Sequence, residues 1–413
     1  MKLEAWERNL YAVWLAQFLA LMGANLVFPF VPFFIKDDLG VDDASEAALW
    51  TGITSAATGA MLFVSSPVWG SLADRYGRKP MLMRAYFGAT ITITLQALVT
   101  SVWGLFALRG LQGAFVGSIP AATALVAAST PQPRMAYALG MLQMAIFTSQ
   151  TVGPVVGGLM AEAFGFRLTF ALGGLMYIIP FLLILFFVEE HFERPDPAQR
   201  TPYVENLRIV LRVPTMLLLI AIMFLVSSAA IFVRPVIPLV VESFTDVGVS
   251  TKSGLVFAAV AITSAVAAVA VGRVAARTGY RNALIFAALG AGIAYIPVAA
   301  ANNLASLMLL MAAVGVFSGA MIPMVNALIG ATAPGGRHGS AFGLVGSAQA
   351  LSLALAPLLG GITANRLGIH AGFVIVGVML IGVAALVFAT VREPAPVVDE
   401  RGLGEKRAAP APR

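Results

Sequence analysis

GSLADRYGRKP, residues 70 to 80, places Asp74, Arg75, Arg78 and Lys79 in one short stretch of a chain that is only 11% charged. The apolar runs GAMLFVSSPVW (59–69) and MLMRAYFGATITITLQALV (81–99) flank it. Charge that interrupts two apolar runs in this way marks the turn between two membrane crossings.

Composition supports that reading along the whole chain. With 413 residues, 59% of them hydrophobic, and a mean hydropathy of +0.88, the sequence has too little polar surface for a water-soluble globule. It reads as an integral membrane protein. Cysteine is absent and histidine occurs three times, which leaves no disulfide, no thiolate nucleophile and little for a metal cage. No enzyme activity, metal or cofactor is expected. The net charge of +6 comes from basic residues scattered over short loops, without the aromatic-laced stripe of a nucleic-acid binder.

Breaking the chain at its polar clusters gives twelve stretches of crossing length, among them 81 to 100, 136 to 162 and 168 to 188. The first apolar run lacks a small-residue cleavage site and should stay as a span. The longest polar interruption, EEHFERPDPAQRTPYVENLRIVLR, divides two groups of six. We therefore expect an all-α membrane protein: a six-helix half over 1–188, a cytoplasmic linker over 189–213, a second half over 214–391 and a disordered cytoplasmic tail over 392–413. With both termini cytoplasmic, most of the 26 Lys and Arg residues fall on the inner side, while the outer loops hold Lys36, Arg167, Lys252 and Arg366. The positive-inside rule then makes GSLADRYGRKP a cytoplasmic loop of a multi-pass membrane protein.

A shift of about 202 to 203 positions lays one half on the other. GSLADRYGRKPML meets GRVAARTGYRNAL, so that Gly70, Arg75 and Gly77 align with Gly272, Arg277 and Gly279. GPVVGG (153–158) meets APLLGG (356–361), and FGFRLTFALGG (164–174) meets LGIHAGFVIVG (367–377). Duplicated halves of this kind are the sequence trace of transporters that rock about a central site.

At these residues the chain resembles the major facilitator superfamily over nearly its whole length. Within it the chain is similar to the twelve-span drug:proton antiporters, of the MdtG type of bacterial multidrug exporter, through WERNLYAVWLAQFL and LWTGITSAATGAMLFVSSPVWGSLADRYGRKPML. Gly70, Leu72, Asp74, Arg75, Gly77, Arg78 and Lys79 match the superfamily's motif A, which the resemblance implies to be a cytoplasmic gate clasp. Asp74 supplies a charge that can pair with arginine or face a helix N-terminus, and the second copy has Ala276 in its place. A solvated loop that only satisfies the positive-inside rule is the alternative for the arginines. SQTVGPVVGG (149–158) resembles motif C, which is associated with exporters; Gly153, Pro154, Gly157 and Gly158 imply a bent, closely packed fifth helix. Ordinary helix packing accounts for the same residues mechanically. MGANLVFPFVP in the first span also fits the efflux pattern.

LFALRGLQG (105–113) resembles motif B in Arg109, Gln112 and Gly113, with Phe115 departing from the usual small residue. An arginine within a span costs about 2.5 to 3.5 kcal/mol unless it faces water or a partner, so Arg109 should point inward with Gln112 beside it. The resemblance implies a proton-relay role; bonding of helix carbonyls is the structural alternative. Arg234, near the outer end of the seventh span, is open to a snorkelling role. Because spans one, four, seven and ten line the central cavity in this superfamily, Asn25, Arg109, Gln112, Arg234 and Asn326 are the candidates for it, with helix-packing glue as the alternative for the neutral ones.

No Asp, Glu or His lies deep in any span; the nearest are Asp37, Asp38, Glu46, Glu162, Glu242 and Asp74 at span ends. Either an end-of-span acid carries the proton or coupling runs through the substrate's own charge. The two intramembrane arginines hint at neutral or anionic substrates. The expectation is a monomeric, lipid-embedded secondary transporter that exports small amphipathic molecules, drug-like compounds or metabolites, by alternating access and proton antiport. An importer or uniporter of a polar metabolite on the same fold, or a receptor or scaffold without flux, are the alternatives.

Overall fold

The computed structural model describes residues 4–190, 209, 212–332 and 338–393. Most of the expected linker and nearly all of the tail therefore lie outside the described residues. The described chain is all helical: α1 Ala5–Val27, α2 Ala44–Tyr76, α3 Arg78–Gln96, α4 Val102–Phe115, α5 Ser118–Ser129, α6 Met135–Leu175, α7 Ile178–Phe187, α8 Pro214–Phe232, α9 Ile237–Glu242, α10 Val249–Thr278, α11 Tyr280–Tyr295, α12 Leu304–Thr332, α13 His338–Leu367 and α14 Ala371–Thr390.

Ten segments among the described residues are long and apolar enough to cross a membrane. The difference from twelve lies in two places. One segment, Gln132–Phe187, is 56 residues long, enough for two crossings of about 20 residues each, and Gly165 leaves helical geometry inside it at φ 79, ψ 165. The other place is α3, whose hydropathy is lowered mainly by Arg78, Lys79, Arg84 and Gln96 and less by its threonines. Their hydroxyls donate to carbonyls of their own helix, Thr90 to Tyr86 at 3.0 Å and Thr92 to Gly88 at 2.7 Å, so they are satisfied without water.

Turn chemistry explains the helix boundaries. The Asp43 side chain accepts from the Glu46 amide at 2.8 Å and caps α2, and Ser101 accepts from the Gly104 amide at 3.2 Å to cap α4. Gly77 at φ 93 separates α2 from α3, and Gly279 at φ 84 separates α10 from α11, conformations that a Cβ disfavours. In the first span Pro29 and Pro32 remove backbone donors, and α1 gives way to a 3₁₀ turn at Phe28–Phe30, a short turn at Val31–Phe33 and a π turn at Phe34–Asp38. Pro235, between α8 and α9, and Pro238, in the first turn of α9, have the same spacing in the seventh span.

Buried apolar residues gather into two cores. One runs from Leu10 to Val188. The other runs from Met216 to Val391 and takes in Phe30, Phe33 and Ala48. Equivalent contacts recur in both. A Cβ at Gly88 would strike the Phe115 ring, and one at Gly290 would strike Phe317. Both pairs are related by the offset of 202. Small residues facing bulky ones at matched positions let α3 and α11 approach their neighbours closely, the usual packing device in lipid.

Candidate functional site

The two halves meet through glycines at the face opposite GSLADRYGRKP. On α6, a Cβ at Gly158 would lie 2.5 Å from the Ser250 carbonyl oxygen and 2.8 Å from the Thr251 Cα of α10. On α10, Gly254 in turn abuts the Pro154 carbonyl. The second interface repeats the first: Gly52 of α2 lies against the Pro357 carbonyl of α13, and Gly361 against the Ala48 carbonyl, 2.6 Å from where its Cβ would stand. Gly59 meets the backbone of Ala354. The remaining motif C residues face α1 within their own half, Gly153 against Asn25 and Gly157 against the Leu26 backbone.

Polar groups close the same face. Lys36, after the first span, donates to Glu242 at 2.5 Å across the halves, with side chains 24% and 29% exposed. Glu162, three residues before the Gly165 break in α6, accepts from the Thr251 amide at 2.9 Å and its hydroxyl at 2.8 Å, where the start of α10 favours a negative charge. Asn365 reaches Ser45 at 3.5 Å. Arg167 pairs with Asp38 at 3.0 Å within the first half.

Toward the GSLADRYGRKP face the helices of the two interfaces part. A Cβ at Gly70 of α2, Gly140 of α6, Gly272 of α10 or Gly346 of α13 would meet nothing within 4 Å. The apolar Val64 and its repeat partner Val266 are 66% and 65% exposed. Closure at one face and separation at the other is the geometry of a chamber open on the motif side.

The motif residues themselves are held within their halves. Glu190, just after the last helix of the first half, accepts from the Arg78 amide at 2.8 and 2.9 Å and from the Lys79 amide at 2.7 Å. Lys79 Nζ donates to the Leu185 and Val188 carbonyls at 3.0 and 2.7 Å. Glu393 does the same in the second half, accepting from the Tyr280 and Arg281 amides at 2.7 and 2.8 Å, while Arg281 donates to the Phe388 carbonyl at 2.6 Å. Each carboxylate thus caps the first amides of α3 or α11. Sequence reasoning missed this pair. Arg75 lies over the Tyr76 ring at 5.4 Å, and the side chain of Asp74 lies outside the described residues. Glu190→Gln is expected to cost about 1 to 3 kcal/mol, since hydrogen bonds to a charged acceptor are the stronger kind. Glu393→Gln should add to it, the two sites lying in different halves. Melting temperatures of the single and double variants in detergent test this; unchanged values would refute the clamp.

The central polar groups cluster in the first half. Arg109 on α4 is 6% exposed and lies over the Phe28 ring at 5.0 Å. Its Nη2 donates to Ser55 Oγ at 3.1 Å, while Nε and Nη1 are buried with no acceptor. Thr58 donates to the Arg109 carbonyl at 2.9 Å. Gln112 is buried and accepts from Gln96 at 3.0 Å, and Gln17 accepts from Tyr86 at 3.0 Å. Asn25 donates to the Leu21 carbonyl of its own helix at 2.9 Å. In the second half Arg234 is exposed, between α8 and α9, and Asn326 on α12 has a buried Oδ1 without a partner. The structure therefore brings Arg109 and Gln112 together with Ser55, Thr58 and Gln96, whereas among the described residues no hydrogen bond joins Asn25, Arg234 or Asn326 to that group.

Arg84, within the apolar run 81–99, is a further charged residue inside the fold. It lies about 10 Å along α3 from the Gly77 turn and stacks on Trp69 at 3.8 Å, with Nη1 buried and unpaired. Trp69 donates to the Ala114 carbonyl at 2.6 Å, next to the break where Gly117 at φ 129 separates α4 from α5.

Comparison with known proteins agrees with this geometry. The family model described as Major Facilitator Superfamily matches residues 13–298 and 219–412. The multi-drug resistance efflux pump PmrA of Streptococcus pneumoniae is 32% identical over 373 residues, covering 89% of this chain and 92% of its own. The multidrug resistance protein MdtG of Proteus mirabilis is 30% identical over 376 residues, covering 90% and 92%. Among solved structures, the nucleoside transporter NupG superposes with a TM-score of 0.78 at 13% identity, covering 93% of this chain and 100% of that one. The human organic anion transporter MFSD10 gives 0.70 at 18% identity with the same coverage.

Proposed function

We propose, from the premise that this chain belongs to the major facilitator superfamily, that it exports small amphipathic compounds across the bacterial inner membrane by alternating access. The observation that carries this reading is the contrast between the two ends of the inter-helix interfaces. Glycines at 52, 158, 254 and 361 press on backbone of the other half, while those at 70, 140, 272 and 346 face open space. Rocking of two rigid halves exchanges these states, and a substrate held between them changes sides. Relatives named as multidrug efflux pumps support outward transport of drug-like molecules; the proposal places GSLADRYGRKP on the cytoplasmic side and has the chain act as a monomer.

Proton entry is the proposed drive. Its titratable groups would be the end-of-span acids, of which Glu162 and Glu242 join the halves. A drug-susceptibility panel in an efflux-deficient host tests the whole reading. The wild type should raise resistance to several amphipathic compounds, and Asp74→Asn and Arg109→Ala should each remove most of that gain. Equal susceptibility of wild type and empty vector would refute export, and accumulation of the compounds by intact cells would favour import.

A further inference from the structure

Among the described residues, the charges inside the fold have one sign. Arg84, Arg109 and Arg234 lie within or beside the spans, and none takes part in the three ion pairs found among the described residues, Arg8 with Glu189, Lys36 with Glu242 and Arg167 with Asp38. All three pairs lie at helix ends. Arg84 and Arg109 rest on aromatic rings instead of carboxylates, and between them they leave three guanidinium nitrogens buried without an acceptor. A buried donor without a partner is costly, and charged groups in a membrane interior ordinarily pair with one another. The second half supplies no compensating acid either: the repeat position of Arg109 is Met311, and Asn326 is neutral. A chamber with fixed positive charge and low-dielectric walls concentrates anions and repels cations.

We propose that the transported compound is a small amphipathic organic anion whose carboxylate, sulfonate or phosphonate supplies the acceptors missing at Arg109, its apolar part lying against Phe28. This rests on the export reading above and names its substrate class. Arginine suits the role, since it stays charged and offers several donors to one oxyanion. An anion leaving a cell that is negative inside moves down the electrical gradient, so its own charge drives export whether or not a proton moves the other way.

The test uses the full chain in proteoliposomes, with 8-anilinonaphthalene-1-sulfonate as permanent anion and ethidium as permanent cation, against protein-free vesicles. With a potassium diffusion potential of about 60 mV, inside positive, the sulfonate should accumulate toward a limit of about tenfold, since about 59 mV corresponds to tenfold for one charge. Ethidium should not exceed background under either sign of potential or under a pH gradient. Arg109→Gln should lower the initial sulfonate rate at least tenfold, and Arg109→Lys, which keeps a charge and guards against misfolding as the cause, should stay within about threefold of wild type. Ethidium movement without sulfonate movement would overturn the anion assignment and leave export standing. Wild-type sulfonate flux in a folded Arg109→Gln variant would also overturn it. If neither probe moved, export itself would fall, and the substrate assignment with it.

Discussion

Leucine in place of Gly158 is expected to abolish transport without preventing insertion, because it wedges apart the face at which the two halves are sealed. Even a methyl group there would lie 2.5 Å from the Ser250 carbonyl oxygen and 2.7 Å from its carbon. Both sides of that contact are backbone, so the clash cannot be relieved by a rotamer change. Overpacking typically costs about 1 to 3 kcal/mol, and about 1.4 kcal/mol is a tenfold change in a two-state equilibrium. The closed state therefore loses most of its population. The chain has no cysteine of its own, so a Ser45→Cys, Asn365→Cys pair, whose native side chains approach to 3.5 Å, reports closure by cross-linking. The cross-link should form in the otherwise native protein and be lost with Gly158→Leu. Gly70→Leu, on the open side where a Cβ meets nothing within 4 Å, should leave it intact. Loss of the cross-link in both variants would mean that the two faces do not act separately.

The duplicated fold was legible because the repeat is written in residues that the backbone needs. Gly77 and Gly279 align in sequence and adopt φ 93 and φ 84; Gly165 and Gly368 adopt φ 79 and φ 91. Motif C was legible as packing for the same reason, since each of its glycines touches the backbone or Cβ of a named neighbour. What the sequence hid were partners defined by backbone amides. Motif A drew attention to Asp74, and the lack of an acid at Ala276 suggested an asymmetric clasp. The acids that do repeat are Glu190 and Glu393, 203 positions apart, and their partners are main-chain donors that no side-chain pattern records. That offset was the available signal. Arg84 was hidden differently. Seven residues beyond the Gly77 turn it lies within an apolar run, and only the fold places Trp69 beneath it.

The asymmetry of the halves follows from the same comparison. Gly113 meets the Thr58 carbonyl and Gly315 the Val260 carbonyl at matched positions, so the scaffolds are alike. The buried polar groups are not: Gln17, Gln96, Arg109 and Gln112 have no charged or amide counterparts in the second half, where Ser228 and Ser352 share one hydrogen bond of 3.1 Å. Chemistry is concentrated in one half, and the other offers a mainly apolar partner surface.

Reversing the charge at Lys36 should have the second large effect. Lys36 joins the first half to Glu242 of the second, and Asp37 and Asp38 follow it directly. Lys36→Glu replaces an attraction across the interface by repulsion among carboxylates. Two unit charges about 4 Å apart near a protein surface interact by about 4 kcal/mol, and partial exposure reduces this. A shift of about 2 kcal/mol still moves the closed state more than tenfold. Transport should fall by at least that factor, with the Ser45→Cys, Asn365→Cys cross-link reduced in parallel. Glu242→Lys in the same chain restores opposite charges and should recover much of both signals. Glu162 continues to hold Thr251 in every variant, so the face is weakened without being dismantled and rescue remains measurable. If the double variant were no better than the single one, Lys36 and Glu242 would be neighbours without coupling, and closure would rest on the glycine contacts alone.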